Sequence, residues 1–190
     1  MTVFIAFEGG EGTGKSTQAR LLATRLGPHC VLTHEPGATV IGAAIRGIVL
    51  GTGTVGLDPR AEALLMAADR AQHVAEVVGP ALAAGHPVVS DRFTGSSLAY
   101  QGHGRRLGVP EVAALSAFAT DGLRPDLVVL LTVPPGVRDE RMRARGRAAD
   151  RLEAEAAAFH AAVEAGFVAL AAADPDRWVV LDGAAGVDDV

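Results

Sequence analysis

A run of glycine and hydroxyl residues near the N-terminus has the composition and spacing of a phosphate-binding loop. Residues 9–17 match G-x-x-x-x-G-K-[ST] between an apolar stretch and a helical pattern. Backbone N–H groups of such a loop, with the positive end of the helix behind it, bind phosphate. Lys15 is predicted to contact the outer phosphates of a nucleotide, and Ser16 is predicted to bind Mg²⁺. The predicted nucleotide-binding residues are Gly9, Gly10, Glu11, Gly12, Thr13, Gly14, Lys15, Ser16 and Thr17.

A second polar group follows an apolar run at residues 87–90, where Asp91 and Arg92 stand side by side. The Asp91 carboxylate is predicted to hold Mg²⁺, directly or through water. The Arg92 guanidinium can bind a second phosphate through two parallel hydrogen bonds. The alternative is a simple salt bridge at the end of a strand.

A third candidate is an arginine-rich segment at residues 138–151. Its arginines are Arg138, Arg141, Arg143, Arg145, Arg147 and Arg151. Helical spacing places Arg138, Arg141 and Arg145 on one stripe. The segment is interpreted either as a mobile lid that closes cations over a transferring phosphoryl group, with Gly146 as its flexible point, or as an ordinary solvated helix face.

The secondary structure predicted around these residues alternates between strands and helices. Strands are predicted at residues 2–8, 29–34, 87–91, 127–133 and 178–182. Helices are predicted at residues 17–26, 41–50, 59–84, 110–120 and 153–172, with further helices after residues 93 and 134. This pattern indicates an α/β fold, a five-stranded parallel sheet with helices on both faces, in one domain over residues 1–190. Ligands of such sheets bind at the carboxyl ends of the strands, where the loop, Glu35 and Asp91 lie.

The composition excludes several classes of protein. With 49% hydrophobic residues the chain is predicted to be folded, and its net charge of −5 gives no general affinity for nucleic acid or anionic membrane. No apolar stretch is long enough to span a bilayer. One cysteine, Cys30, excludes an internal disulfide and fits a reducing cytoplasm.

Several blocks in order make the chain similar to the bacterial thymidylate kinase family. They are residues 7–18, 35–39 with 45–46, 64–73 (LLMAADRAQH), 91–93 with 96–102, 123–126, 133–135, 143–146 and 150–153. The resemblance implies a P-loop kinase fold with an Arg-rich lid at about residues 138–151. It also implies transfer of the γ-phosphoryl of ATP to dTMP, with Mg²⁺, giving dTDP and ADP for dTTP synthesis. Members are usually cytoplasmic homodimers.

The same resemblance implies roles for matching residues. Glu11 would contact the sugar 3′-hydroxyl region and Arg92 the acceptor phosphate. Arg70 would reach thymine O4, with Ser97 and Gln101 near the base and Tyr100 by the sugar. The full set of implied substrate residues is Glu11, Glu35, Pro36, Met66, Arg70, Arg92, Ser97, Tyr100 and Gln101.

The resemblance also bears on the lid. Gly12 stands where eukaryotic relatives carry an arginine, and in the bacterial type the missing charge comes from the lid. The implied catalytic residues are therefore Lys15, Arg92, Arg143, Arg145 and Arg147.

Five residues depart from the pattern of the family. Three of them are Ala38, Thr132 and Phe167, which stand for a usual glycine, aspartate and tyrosine. Met66 replaces the usual phenylalanine on which thymine stacks, and His34 replaces an arginine. A thioether packs against a base but has no flat π face. Two alternatives stay open: a kinase for another, modified pyrimidine monophosphate, or a weakly active nucleotide-binding regulator.

Overall fold

The chain forms a five-stranded sheet in which every neighbouring pair of strands is parallel. The computed structural model describes residues 2–146 and 148–190. The strands are β1 (Phe4–Glu8), β2 (Val31–His34), β3 (Val88–Asp91), β4 (Leu127–Thr132) and β5 (Trp178–Asp182). Their order across the sheet is β2-β3-β1-β4-β5. The predicted fold class is confirmed, and the crossovers between parallel strands are helical, as this topology requires.

Eight α-helices connect and flank the strands in the described part of the chain. They are α1 (Lys15–Leu26), α2 (Val40–Leu50), α3 (Pro59–His73), α4 (Gly79–Ala83), α5 (Thr94–Ser97), α6 (Val109–Thr120), α7 (Pro135–Ala144) and α8 (Ala157–Ala173). Two π-helical segments, Val74–Val78 and Leu98–Gly104, continue α3 and α5. The segment after α3 lies just before Pro80, which has no N–H to donate, and Gly79 N–H bonds to the Val74 carbonyl.

Helix α8 begins at Ala157, four residues later than the predicted start at Glu153. The Asp150 carboxylate accepts hydrogen bonds from the N–H groups of Leu152 (3.0 Å) and Glu153 (2.9 Å). An aspartate that bonds the backbone two and three residues ahead favours a turn over a helix. The chain therefore turns through residues 151–155 before the helix starts.

Apolar side chains on both faces of the sheet hold the layers together. Ile5 and Phe7 pack with Ala19 and Ala23 of α1 on one face. Phe4 and Ala6 pack with another cluster on the opposite face. Alternate residues of a strand point to opposite faces, so β1, which is fully buried, is apolar on both sides until Glu8.

The carboxyl ends of β1 and β3 are neighbours, because Phe7 pairs with Asp91 in the register of the two strands. The loop after β1 and the Asp91–Arg92 turn after β3 therefore lie side by side. No helix in the described ranges 2–146 and 148–190 is long and apolar enough to cross a membrane.

Candidate active site

The loop between β1 and α1 has a backbone that glycine makes possible. Gly9, Gly12 and Gly14 have φ angles of 134°, 74° and 98°. A Cβ at Gly9 would lie 2.4 Å from the Leu131 carbonyl oxygen, so any larger residue would collide with β4. Gly14 is the N-cap of α1, which places the positive end of that helix behind the loop. The loop therefore has the backbone conformation that the predicted phosphate binding would need.

Lys15 begins α1, and its side chain is only 5% exposed. Its Nζ donates to the Gly10 carbonyl at 2.6 Å and to Thr13 Oγ1 at 3.4 Å. Burial, together with the positive charge of Arg92, lowers the pKa of Lys15 to about 8. Lys15 is thus held against the loop with little water around its charge.

Ser16 and Asp91 meet across the gap between α1 and the end of β3. The Ser16 hydroxyl donates to Asp91 Oδ2. Asp91 Oδ1 is buried and has no hydrogen-bond partner among the described residues. A hydroxyl beside an unsatisfied carboxylate oxygen matches the oxygen ligands that Mg²⁺ takes, usually with substrate phosphates completing the set. The described residues contain no cluster of three or more His, Cys, Asp or Glu that could hold a metal.

Arg92 occupies the turn after β3 in a left-handed conformation with φ of 76°. That conformation costs a non-glycine residue about 1–2 kcal/mol. The guanidinium forms an ion pair with Glu11, donates to the Gly9 carbonyl at 3.0 Å and to Ser96 Oγ at 2.9 Å, and lies 5.3 Å from the Tyr100 ring centre. Burial opposes ionisation of Glu11, but the charges of Arg92 and Lys15 overcome it and hold the pKa of Glu11 well below its usual range.

Glu8 stabilises this turn by hydrogen bonds to the residues that follow it, although it was not among the predicted site residues. Its fully buried carboxylate accepts hydrogen bonds from the N–H groups of Phe93 (3.0 Å) and Ser96 (2.9 Å) and from the Ser96 hydroxyl. Burial raises the pKa of Glu8 to about 7. A carboxylate at the end of an otherwise apolar strand was the signal that could have found it.

Two cavities adjoin the loop among the residues that the structure describes. The larger cavity has a volume of about 480 Å³ and opens beside Lys15 and Arg92. It brings together all of the residues that the resemblance implied for the substrate. They are Glu11, Glu35, Pro36, Met66, Arg70, Arg92, Ser97, Tyr100 and Gln101. Lys15, Ser16, Asp91, His34 and Arg145 also line it. These residues come from five separate segments of the chain, so only the fold makes them neighbours.

A buried polar network forms the end of the larger cavity away from the loop. Arg70 donates to Glu35 Oε2 at 2.9 Å and to the Phe93 carbonyl at 3.1 Å. His73 Nδ1 lies 2.8 Å from Glu35 Oε1, and its Nε2 lies 2.6 Å from Thr33 Oγ1. These hydrogen bonds hold the Arg70 side chain in one orientation in the wall of the larger cavity, where it can contact a ligand.

A smaller cavity of about 220 Å³ lies on the other side of the loop. Its lining includes Thr13, Gly14 and Thr17 of the loop, together with Gln18, Leu131 and Arg141. The C-terminal segment closes it, because Gln18 Nε2 donates to the Val187 carbonyl at 2.7 Å. Sequence reasoning missed this segment, since residues 183–190 carry no motif.

Helix α7 of the arginine-rich segment lies over the loop. A Cβ at Gly12 would meet the Arg138 carbonyl oxygen at 3.3 Å and Met142 Cγ at 3.5 Å. Arg141 donates to the Gly12 carbonyl at 3.2 Å, and Arg145 Nη1 lies 3.5 Å from Glu11 Oε2.

The implied catalytic arginines of this segment are placed differently. Arg145 lines the larger cavity, whereas the Nε of Arg143 donates to the Asp139 carbonyl of its own helix. Arg147 lies outside the described residues. Arg141, which the sequence placed on the Arg138 stripe but not among the catalytic residues, is the arginine of α7 that donates to a carbonyl of the loop, at Gly12. Its helical spacing from Arg138 was the available signal.

Comparison with known proteins agrees with this geometry. The family model for thymidylate kinase matches residues 7–190. A thymidylate kinase of Solidesulfovibrio magneticus is 48% identical, over 99% of this chain and 94% of the relative. One from Leifsonia xyli subsp. xyli is 50% identical, over 99% and 90%.

A solved structure also matches. The crystal structure of thymidylate kinase from Ehrlichia chaffeensis superposes with a TM-score of 0.78 at 30% identity, covering 95% of this chain and 87% of that one. The chain belongs to the thymidylate kinase family, a family of nucleoside monophosphate kinases.

Proposed function

We propose that this protein transfers the γ-phosphoryl group of ATP to dTMP, giving dTDP and ADP. The observation that carries the proposal is the position of the phosphate-binding loop between two cavities. Lys15 and Ser16 line the larger cavity, whereas Thr13, Gly14 and Thr17 line the smaller one. Two nucleotides bound on opposite sides would therefore bring their phosphates to the same loop, which is the arrangement that phosphoryl transfer between them needs.

The larger cavity suits the acceptor nucleotide. Arg92, at the end nearest the loop, would bind the acceptor phosphate through its planar guanidinium. Arg70 and Gln101, at the other end, would contact the base. The partly buried Met66 side chain packs against the cluster around Tyr100 and would cover the base face. The proposed sugar contacts are Glu11 and Tyr100, which adjoin Arg92.

The smaller cavity suits the donor nucleoside, because the start of α1 and the loop backbone adjoin it. Backbone N–H groups at the N-terminus of a helix favour phosphate groups there. Gln18 and the C-terminal segment would then lie against the donor base or sugar. This arrangement leaves Lys15 between the two nucleotides.

The residues present also fit Mg²⁺. Ser16 Oγ and the unpartnered Asp91 Oδ1 are the protein oxygens that would hold the ion, directly or through water. When bound, the ion would neutralise charge on the donor phosphates. Asp91 also adds negative charge beside Lys15, which favours the protonated lysine.

The transfer needs no covalent enzyme intermediate. An acceptor phosphate oxygen forms a bond to the γ-phosphorus while the bond from that phosphorus to the β-phosphate oxygen breaks. The acceptor oxygen is already anionic, so no base has to remove a proton. The work of Lys15, Arg92 and the lid arginines is to align the groups and to balance the charge on the moving phosphoryl group.

We further propose one domain over residues 1–190 with a lid at about 138–151. The lid assignment is supported by the contact of α7 with Gly12 and by the ion pair of Arg145 with Glu11. The described residues of α7 include no buried side chain, as expected for a segment that moves. Arg145 and Arg141 are its proposed catalytic arginines, with Arg143 and Arg147 as further candidates.

We also propose a homodimer that acts in the cytoplasm. Large apolar side chains are exposed on α2, α3 and α6, with Val40 90%, Leu64 58% and Phe118 88% exposed. A second copy of the chain that covered these helices would remove that apolar area from water.

Sedimentation of the wild-type chain should give twice the monomer mass, and Phe118→Asp should shift it towards the monomer. A wild-type monomer at micromolar concentration would exclude the dimer.

A panel of monophosphates with ATP and Mg²⁺ tests the function directly. ADP release should be fastest with dTMP, compared with dUMP, dCMP, dAMP and dGMP. Faster turnover of a different pyrimidine monophosphate would replace dTMP in the assignment, and Met66 would then be the first residue to examine. If the protein bound ATP but no monophosphate of the panel stimulated ADP release, the regulatory alternative would be favoured.

A further inference from the structure

A carboxylate that no motif singled out lies buried behind the base end of the larger cavity. Glu62 of α3 is 0% exposed. Its Oε1 accepts hydrogen bonds from Gln101 Nε2 at 2.9 Å and from Arg105 Nε at 3.2 Å. Its Oε2 accepts from Arg105 Nη2 at 3.0 Å and from Arg151. Four donor atoms on three residues, from two separate segments of the chain, thus converge on one side chain.

These donors keep Glu62 ionised. Burial alone would favour the neutral acid, but hydrogen bonds from Arg105, Gln101 and Arg151 hold the pKa of Glu62 below its usual value. An ionised carboxylate has oxygen lone pairs and no hydrogen, so it can only accept hydrogen bonds. Any group that bonds to Glu62 must therefore donate.

That restriction decides which way the amide of Gln101 points. An amide has a donor end, Nε2, and an acceptor end, Oε1, and the two look alike in shape. Because Glu62 can only accept, the Nε2 end must face it, and Oε1 must face the opposite way. Gln101 is completely buried and lines the larger cavity, and its Oε1 has no hydrogen-bond partner in residues 2–146 and 148–190.

We propose that Glu62 is a specificity-determining positioning residue, which fixes Gln101 so that its Oε1 meets the base of the acceptor as a hydrogen-bond acceptor. The proposal rests on the proposed function. Thymine and uracil carry a hydrogen at N3 and can donate to Oε1. Cytosine has an unprotonated N3 that can only accept, so two acceptors would face each other without a hydrogen between them.

The expected discrimination is large because the pair would be buried. A site built to hydrogen-bond one group rejects an analogue that cannot make the bond, since buried polar atoms are left unpaired. Arg70, also at the base end, is a second donor that selects a carbonyl over an amino group at position 4. Glu62 therefore accounts for part of the preference for thymine over cytosine, and Arg70 for the rest.

The test compares wild-type protein with Glu62→Gln, which has nearly the same shape but can present either an amide hydrogen or an oxygen. Gln101 is then free to turn its amide over. We expect the ratio of kcat/KM for dTMP to that for dCMP to fall by at least about tenfold, the effect of one hydrogen bond. The ratio for dTMP to dUMP should stay the same, because both bases carry the N3 hydrogen.

A matched control separates specificity from stability. Arg105→Met removes two of the four hydrogen bonds to Glu62, the ion pair of Arg105 with Glu155 and its contact with the Phe159 ring. It leaves the carboxylate and its bonds to Gln101 and Arg151 in place. This variant should unfold at a lower temperature while the dTMP to dCMP ratio stays at the wild-type value. A general loss of stability in Glu62→Gln would lower turnover of all three nucleotides alike.

A second variant covers the case in which Glu62→Gln does not fold. The triple variant Glu62→Leu, Arg105→Leu and Arg151→Leu replaces the buried carboxylate and both of its arginine partners by apolar side chains, which proteins often tolerate. It also frees the Gln101 amide, so the same fall in the dTMP to dCMP ratio is expected. An unchanged ratio in a folded Glu62 variant overturns the inference, while the proposed function still stands if wild type prefers dTMP. Wild-type protein that does not phosphorylate dTMP overturns both.

Discussion

The two groups of arginines around the phosphate-binding loop are held in different ways. In the larger cavity, Arg70 is buried and Arg92 is mostly buried, and each is paired with a carboxylate from another part of the chain, Glu35 and Glu11 respectively. In α7, Arg143 bonds to its own helix, and Arg138 pairs with Asp139 and with Glu164 of α8 near the surface. The helix buries none of its described side chains. The proposed acceptor side is thus held in place by ion pairs that are largely shielded from water, whereas the proposed lid is attached by contacts that can be broken at little cost.

This difference has an energetic reason. Removing one partner of a buried ion pair leaves the other charge without compensation and destabilises a protein by about 3–5 kcal/mol. An exposed pair contributes about 0–1 kcal/mol. Substitutions on the acceptor side should therefore change both binding and stability, while those in the lid should change turnover alone.

The largest effect is expected at the loop that both sides share. Lys15→Ala removes the charge that lies between the two proposed nucleotide sites. We expect kcat/KM to fall by at least about 100-fold, which corresponds to a few kcal/mol of transition-state stabilisation. Steady-state assays with ATP and dTMP measure it, with a thermal unfolding curve to show that the variant is folded. A variant that kept most of its activity would remove Lys15 from the mechanism.

Next in size is the substitution that tests the acceptor side. Arg92→Ala should raise KM for dTMP by about 30-fold, because a charge-assisted, two-pronged hydrogen bond is lost, and should leave KM for ATP nearly unchanged. It should also lower the unfolding temperature, since Glu11 loses its partner. Arg25→Ala, at an exposed arginine in the last turn of α1, is the control and should change neither constant. Equal changes in both KM values would contradict the division into two sites.

The pH dependence of activity distinguishes the buried Lys15 from the arginines of the proposed lid. Burial and the charge of Arg92 hold the pKa of Lys15 at about 8, so Lys15 loses its proton as the pH rises through that value. The lid guanidiniums keep their charge over the whole range. We expect kcat/KM to fall about tenfold between pH 7 and pH 9, since this parameter reports the free enzyme. A profile that stayed flat to pH 10 would contradict a buried lysine at this position.

The smallest effect separates two arginines of the lid. Arg141 contacts the loop at Gly12, whereas Arg143 bonds to its own helix. Arg141→Ala should lower kcat about five- to tenfold, the effect of one hydrogen bond from a charged group, and Arg143→Ala should change it less than about twofold. Both variants should unfold at the wild-type temperature. A larger effect at Arg143 would show that the lid closes with another face of α7 towards the loop.

The strands and the phosphate-binding loop could be predicted because their signals are local. An apolar run that ends at Glu8, followed by glycines and Lys15, specifies strand, turn and helix without help from the rest of the chain. The start of α8 was predicted wrongly, because the hydrogen bonds that delay it come from the Asp150 side chain. Boundaries of this kind depend on side-chain competition for backbone groups, which periodicity does not show.

The class of fold, the motif of the proposed phosphate-binding loop and, through the order of its motifs, the family all follow from the amino-acid sequence. Three features required the folded arrangement: which arginine of α7 reaches Gly12, the closure of the smaller cavity by residues near Val187, and the direction in which the amide of Gln101 faces. Each of these depends on groups tens of residues apart in the chain, such as Glu62 and Gln101. Short-range propensity carries no information about such pairs, because packing of the layers alone brings them within hydrogen-bond distance.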